Sequence, residues 1–143
     1  MTVTKQQFVA EARKLLGTPY SHEGRTLGER ADCLCVPWFS AHNLGLSTYS
    51  ISGYSRVPDG VSILKICRSL PELVEVTRYD IADMIVMAWH RVPCHLGVVG
   101  DYPHPGEFSV IHADSIHKKV VEHRIDTRWH QRIIASFRFR ELV

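Results

Sequence analysis

The hydrophobic pattern of this 143-residue chain changes its period near residue 80, and this change constrains the fold more than any other feature. Before residue 80, apolar residues recur at helical spacing, as in Phe8, Ala12 and Leu15. After it, they form short runs of strand length that turn residues separate. Helices followed by strands with short links indicate an α+β domain, in which N-terminal helices pack on an antiparallel sheet of five to six strands.

Three helices are expected in the first half of the chain. A capping-box pattern begins the first helix at Thr4, and Gly17 ends it. The second is expected from about Cys33 to Asn43. Because Pro37 lacks the N–H that helical positions beyond the first turn donate, this helix either starts a residue or two late or has a distorted first turn. A third, short helix is expected to end near Leu70.

The second half of the chain predicts strands. In the first half, residues 21–31 are polar and contain two glycines, which is typical of a loop, and they stand between the first two predicted helices. The predicted strands are Met84–Trp89, His95–Gly100, Phe108–His112, Val120–Arg124 and Arg132–Phe139. The size of the chain fits one domain over residues 1–143.

Composition excludes several classes of function. A formal net charge of +2 is too small to indicate a nucleic-acid partner. The sequence has no apolar run long enough for a signal peptide or a membrane span. We therefore expect synthesis in a cytoplasm without a signal peptide, and we interpret the four cysteines as free thiols.

Cys33 is the candidate nucleophile, because it stands between a predicted loop and a predicted helix. The N-terminus of a helix carries partial positive charge, which lowers the pKa of a nearby thiol. His95, on a predicted strand, is the candidate base, and only the fold can bring it to Cys33 across a sequence separation of 62 residues (95 − 33). This pair predicts hydrolysis of an amide bond through a cysteine.

Alternation along the strands places further residues relative to His95. Residues two apart on a strand share a face, so Gly97 is expected on the face of His95, where it leaves open space for a substrate. Cys94 is expected to point away. If the next strand forms a hairpin with this one, His112 can hydrogen-bond the second ring nitrogen of His95 and fix its orientation.

Other interpretations of these residues stay open. Free cysteine is among the most buried residue types, so Asp32-Cys33 also fits a core position. Cys33, Cys35, Cys94 and His95 supply enough ligands for a metal, but paired C-x-x-C motifs are missing and no metal is expected. The other histidines, His123 among them, are interpreted as loop or surface residues.

Several motifs together resemble the NlpC/P60 family of papain-like cysteine peptidases, over nearly the whole chain. They are Leu16-Gly17-Thr18-Pro19-Tyr20, Asp32-Cys33, Asp83-Met84-Ile85-Val86, His95-Leu96-Gly97-Val98-Val99 and Ile111-His112-Ala113. The segment from Trp129 to Phe139 is similar to the phage-tail and gene-transfer-agent branch of that family.

The resemblance implies a role for each candidate residue. It makes Cys33 the nucleophile, His95 the base and His112 the residue that orients it. The substrate-contacting residues are then expected to be Tyr20, Asp32 and Gly97. The implied partner is a peptidoglycan stem peptide, cleaved at a γ-D-glutamyl–diaminopimelate bond without a cofactor. Phage-like tail proteins are implied as further partners, with action at the bacterial cell wall.

Two alternatives remain from the sequence. The family usually has Ser-Gly after the cysteine, whereas this chain has Leu34-Cys35 and then Pro37. This departure motivates a structural or adaptor module of a tail tip that has kept the fold without the activity. The same three catalytic groups also serve amidases and acyl transferases on other substrates.

Overall fold

The computed structural model describes residues 2–143 and consists of four helices and two antiparallel sheets. The helices are α1 (Lys5–Arg13), α2 (Cys35–Asn43), α3 (Ser62–Ser69) and α4 (Thr127–Arg132). The strands are β1 (Arg25–Thr26), β2 (Arg30–Ala31), β3 (Leu73–Val76), β4 (Met84–Trp89), β5 (Val92–Asp101), β6 (Phe108–Asp114), β7 (Lys119–Arg124) and β8 (Ile133–Phe139). The α+β class predicted from the hydrophobic period is confirmed.

The larger sheet has six strands in the order β3-β8-β4-β5-β6-β7. All neighbouring strands in it are antiparallel. Strands β4 to β7 follow one another both in sequence and in space, so short hairpin links suffice there. Within residues 2–143, no helix is long and apolar enough to cross a membrane.

The two faces of this sheet bury different clusters. One face packs Leu96 and Ile111 against α1 and α2, and Phe8 of α1 belongs to the same main core. The opposite face carries a smaller cluster around Met87 and Val110, which Trp89, Trp129 and other partly buried side chains cover. Alternation along β5 and β6 separates these two sets of side chains.

Pro37 is accommodated because α2 begins at Cys35, two residues later than the first predicted boundary. Pro37 is then the third helical residue, where the backbone N–H has no carbonyl partner within the helix in any case. Cys35 is fully buried at the start of this helix. The late start anticipated from Pro37 is confirmed.

Three elements differ from the sequence-based expectations. Residues 21–31 contain the small sheet of β1 and β2, which is held by only two residue pairs. Strand β3 pairs with β8 at the edge of the large sheet, and no strand was predicted there. Residues 127–132 form α4, so Arg132 ends a helix and does not open the last strand.

The turn before β4 combines a strained residue with a buried ion pair. Ala82 has a φ of 71°, a region in which a side chain costs about 1 kcal/mol or more. Asp83 is fully buried and accepts two hydrogen bonds from the Arg138 guanidinium, at 2.7 and 2.8 Å. This pair ties the start of β4 to β8, which flanks it in the sheet.

Candidate active site

Cys33 lies in the three-residue link between β2 and α2. It is partly exposed and opens into a cavity of about 320 Å³, which Tyr20 and Cys94 also line. The backbone N–H of Leu96, on β5, acts on the thiol and lowers its pKa. The link therefore sets the thiol against β5, one residue from His95.

Asp32 anchors this link through five intramolecular donors. Its carboxylate accepts hydrogen bonds from the backbone N–H groups of Glu23, Leu34 and Cys35 and from the side chains of Arg25 and Tyr54. Since Asp32 is only 2% exposed, these donors replace water. Asp32 lines the cavity of Cys33, so its substrate contact stays a prediction, and its hydrogen bonds position the start of α2.

The pKa of the Cys33 thiol is raised to about 12, mainly by burial and then by the negative charge of Asp32. The nearby Leu96 N–H and Arg25 oppose this rise without cancelling it. The expectation that the N-terminus of α2 lowers the thiol pKa is therefore wrong. Burial is the main cause, and the Asp32 carboxylate, which occupies the first free N–H groups of that helix, adds to it.

His95 and His112 form a direct pair on neighbouring strands. Nε2 of His95 lies 2.7 Å from Nδ1 of His112. The β5–β6 pairing runs from Val98–Ile111 to Asp101–Phe108, so the two rings meet beyond its end. The predicted contact between His95 and His112 is confirmed.

Both histidines are held in the neutral form. Burial lowers the pKa of His95 to about 4. Burial also lowers the pKa of His112 to about 3, and the neighbouring His95 and His123 add to that effect. His112 is 1% exposed, so its ring nitrogens depend on protein partners.

The Cys33 thiol reaches the strand of His95 at the neighbouring residue Leu96, and His95 does not line the cavity into which the thiol opens. Within residues 2–143, no hydrogen bond connects the thiol to the His95 ring, and the thiol contacts the same strand at Leu96. Because Nε2 of His95 is used by His112, Nδ1 is the nitrogen left for a proton from Cys33. Tyr20 lines the cavity beside the thiol, and its pKa is raised by burial and by Cys33.

Gly97 does not border open space. A Cβ atom at this position would lie 2.6 Å from Cγ2 of Val110 and 3.2 Å from Cε of Met87. The expectation that Gly97 leaves room for a substrate is wrong, because side chains of the smaller cluster, Met87 and Val110, fill the space beside it. Gly97 instead lets β5 and β6 pack closely.

Cys94 lies in the cavity of Cys33, contrary to expectation. His95 pairs with Met87 and Pro93 with Ala88, so Cys94 is an extra residue in β5. Such a β-bulge interrupts the alternation from which Cys94 was expected to point away. Among residues 2–143, no group of three or more His, Cys, Asp or Glu side chains could hold a metal ion.

The raised thiol pKa gives a testable pH dependence. We expect the rate at which iodoacetamide alkylates Cys33 to keep rising with pH above 8, because only the scarce thiolate reacts. Mass spectrometry of intact protein measures this rate, in a Cys94→Ser variant so that the second cavity thiol does not contribute. A rate that levels off below pH 8 would indicate a preformed thiolate–imidazolium pair and contradict the expectation.

Solved structures with the same fold are NlpC/P60 domains. The NlpC/P60 domain of the peptidoglycan hydrolase SagA is 19% identical, with a TM-score of 0.61 over 94% of this chain and 97% of that one. An NlpC/P60 family protein from Bacillus cereus is 17% identical, with a TM-score of 0.66 over 97% of this chain. A lipoprotein-like NLP/P60 family protein from Staphylococcus aureus is 14% identical, with a TM-score of 0.58 over 95% of this chain.

The chain spans 41% of the length of the Bacillus cereus and Staphylococcus aureus proteins. No protein-family model matches the sequence, and no curated protein does. At these identities the likeness shows the fold, and the predicted papain-like NlpC/P60 fold class is confirmed.

Proposed function

We propose that the protein is a cysteine peptidase that hydrolyses amide bonds in peptidoglycan stem peptides. The observation that carries the proposal is the His95–His112 pair on strands β5 and β6, because the Cys33 thiol contacts β5 at Leu96, the residue after His95, and Nδ1 of His95 is left unpaired by His112. In this role Cys33 is the nucleophile, His95 the base and His112 the residue that orients it.

The reaction begins with a neutral thiol and a neutral imidazole. As the sulfur of Cys33 attacks the amide carbonyl carbon, its proton moves to Nδ1 of His95, and the carbonyl oxygen becomes an oxyanion. His95 then gives this proton to the leaving amine as the C–N bond breaks, which leaves a thioester. Water, deprotonated by His95, attacks the thioester, and the new carboxylate and the thiol are released.

The backbone N–H of Cys33 is suited to hold the oxyanion. Within residues 2–143 it donates to no backbone carbonyl or side-chain acceptor, whereas the N–H groups of Leu34 and Cys35 are bound by Asp32. A donor that is already oriented and unpaired stabilises charge that develops only in the transition state.

The cavity beside Cys33 is suited to a short peptide with charged groups, because its lining combines the carboxylates of Asp32 and Asp59 with two cations. Arg56 and Lys65 line it, and neither takes part in an ion pair among the described residues. Apolar side chains, Ile51 and Ile63 among them, line the same cavity. Stem peptides combine free carboxylates with small apolar side chains, and this combination supports them as the substrate class.

We infer the bond and the setting from the sequence motifs. They favour cleavage between γ-D-glutamate and diaminopimelate, by a protein that reaches the wall in a phage-like tail. The printed name of SagA as a peptidoglycan hydrolase supports the substrate class, but it does not bear on the bond or the tail.

Product analysis tests the proposed function. Purified sacculi and a synthetic L-Ala-γ-D-Glu-diaminopimelate peptide are incubated with the protein under reducing conditions, and the products are identified by mass spectrometry. A new free amine on diaminopimelate is expected. Release of ammonia, or cleavage at another amide bond, would assign a different amide chemistry to the protein. If both the sacculi and the synthetic peptide stay intact, the proposal is refuted.

A catalytically weak adaptor of a tail tip is the second candidate. The raised pKa of Cys33 and the missing thiol–imidazole hydrogen bond favour it. If the protein is such an adaptor, we expect the sacculi to stay intact and the protein to co-purify with tail proteins of its host.

A further inference from the structure

A third histidine continues the His95–His112 pair. Nε2 of His112 lies 2.9 Å from Nε2 of His123, on β7, and Nδ1 of His123 lies 3.0 Å from the carbonyl oxygen of Arg124. Sequence reasoning had placed His123 on the surface. His112 and His123 are not directly opposite across β6 and β7, since His123 pairs with Val110, and their rings meet diagonally.

His95, His112 and His123 form a row of hydrogen-bonded rings that ends at the carbonyl oxygen of Arg124. This carbonyl oxygen sets the direction of every hydrogen bond in the row. A carbonyl oxygen can only accept, so His123 donates from Nδ1. A neutral His123 then has Nε2 as an acceptor, and His112 must donate to it from its own Nε2. That leaves Nδ1 of His112 as an acceptor, so His95 donates from Nε2.

At the other end of the row, these hydrogen bonds give His95 the tautomer that a general base requires. With its proton on Nε2, His95 presents an unprotonated Nδ1. If the row ran in the opposite direction, His112 would donate from Nδ1 to His95, and Nδ1 of His95 would then carry the proton. In that form His95 could not take a proton from Cys33.

Packing around the three histidines keeps their rings in place and shields His112 from water. His112 is 1% exposed, so a missing acceptor at its Nε2 would leave a buried N–H unpaired. The Trp129 ring, on α4, packs with its centroid 4.5 Å from that of His123 and 5.1 Å from that of His112. Arg132 lies over the Trp129 ring, 4.8 Å from its centroid.

We propose that His123 is a positioning residue: by accepting from His112, it fixes the tautomer of His95. The catalytic part of this inference rests on the proposed function, whereas the tautomer does not. His123 touches neither Cys33 nor the 320 Å³ cavity, so it acts only through His112.

Two substitutions separate the hydrogen bond from the packing. His123→Phe keeps a ring against Trp129 but removes the acceptor for His112. His123→Gln keeps an acceptor for His112 and a donor for the Arg124 carbonyl. His104→Phe is the matched control, since His104 is an exposed loop residue that stacks only on Tyr102.

The first measurement is NMR of ¹⁵N-histidine-labelled protein, without substrate. In the wild type we expect the proton on Nε2 of His95, on Nε2 of His112 and on Nδ1 of His123. In His123→Phe we expect His95 to become a mixture of tautomers, and in His123→Gln to keep one. If the wild type carries the His95 proton on Nδ1, the inference is wrong, and this result needs no variant to fold.

The second measurement is steady-state kinetics on the stem peptide. We expect His123→Phe to lower kcat by about 10- to 100-fold, a part of the roughly 10²- to 10⁴-fold that a positioned base supplies, with little change in KM. His123→Gln and His104→Phe should retain most of kcat. An unchanged kcat in a folded His123→Phe would overturn the inference. If the wild type hydrolyses nothing while the tautomers are as expected, the proposed function fails and the positioning role stands.

Discussion

Replacement of Cys33 by alanine is expected to reduce hydrolysis of the stem peptide to background, a loss of at least about 10⁴-fold in kcat. Cys35 and Cys67 are buried, and Cys94, which lines the same cavity, is replaced by serine in both proteins that are compared so that it cannot take the place of Cys33. The measurement is product formation from sacculi and synthetic peptide, with melting temperature recorded for each variant.

Cys67→Ala is the matched control for this loss. Cys67 is a buried cysteine of α3 that does not line the cavity of Cys33. Its replacement is expected to lower stability by about 1 kcal/mol, the value of a small deleted core atom, and to leave kcat unchanged. Equal activity in the Cys94→Ser protein and in a folded protein that also carries Cys33→Ala would exclude Cys33 as nucleophile and favour the adaptor function.

The architecture followed from the sequence where the hydrophobic period was unambiguous. Strand β4 is fully apolar over its first four residues and was located to the residue, because burial on both faces requires such a run. Strand β3 and helix α4 were missed because each is short and partly exposed, so the pairing with β8 and the packing on Trp89 decide their structure. Local pattern carries little information about elements that tertiary contacts stabilise.

The candidate site followed from the sequence only where regular alternation holds. His95 and His112 were placed together correctly because both lie on paired strands. Cys94 was misplaced because the bulge in β5 leaves no clear trace in the sequence. Gly97 was misread as open space because a glycine equally permits close packing, and only the position of Val110 distinguishes the two.

His123 was missed for a different reason. It lies on β7, one strand further from Cys33 than His112, and its partner Arg124 contributes only a backbone carbonyl. A signal was present in the sequence, since Val110-x-His112 and Val121-x-His123 repeat the same spacing on two adjacent predicted strands. The diagonal contact of the two rings nevertheless depends on the strand register.

Asp32→Ala is expected to lower the free energy of unfolding by about 3 kcal/mol or more, the largest stability effect of any single substitution considered. The change removes a nearly fully buried carboxylate and leaves Arg25, two N–H groups of α2 and the Tyr54 hydroxyl without their acceptor. Breaking a buried ion pair costs about 3–5 kcal/mol, and the lower end applies because the Arg25 side chain is 34% exposed and can reach water.

Asp126→Ala separates this effect from simple helix capping. Asp126 also accepts a backbone N–H at the start of a helix, from Trp129 at 2.9 Å, but it lies on the surface and has no ion-pair partner among the described residues. Its loss is expected to cost clearly less than the loss of Asp32, because the exposed cap can be replaced by water. Urea unfolding of both variants measures the difference. If Asp32→Ala costs no more than Asp126→Ala, the anchoring role of Asp32 is wrong, and Cys33 must be held by the packing of α2 on β5 alone.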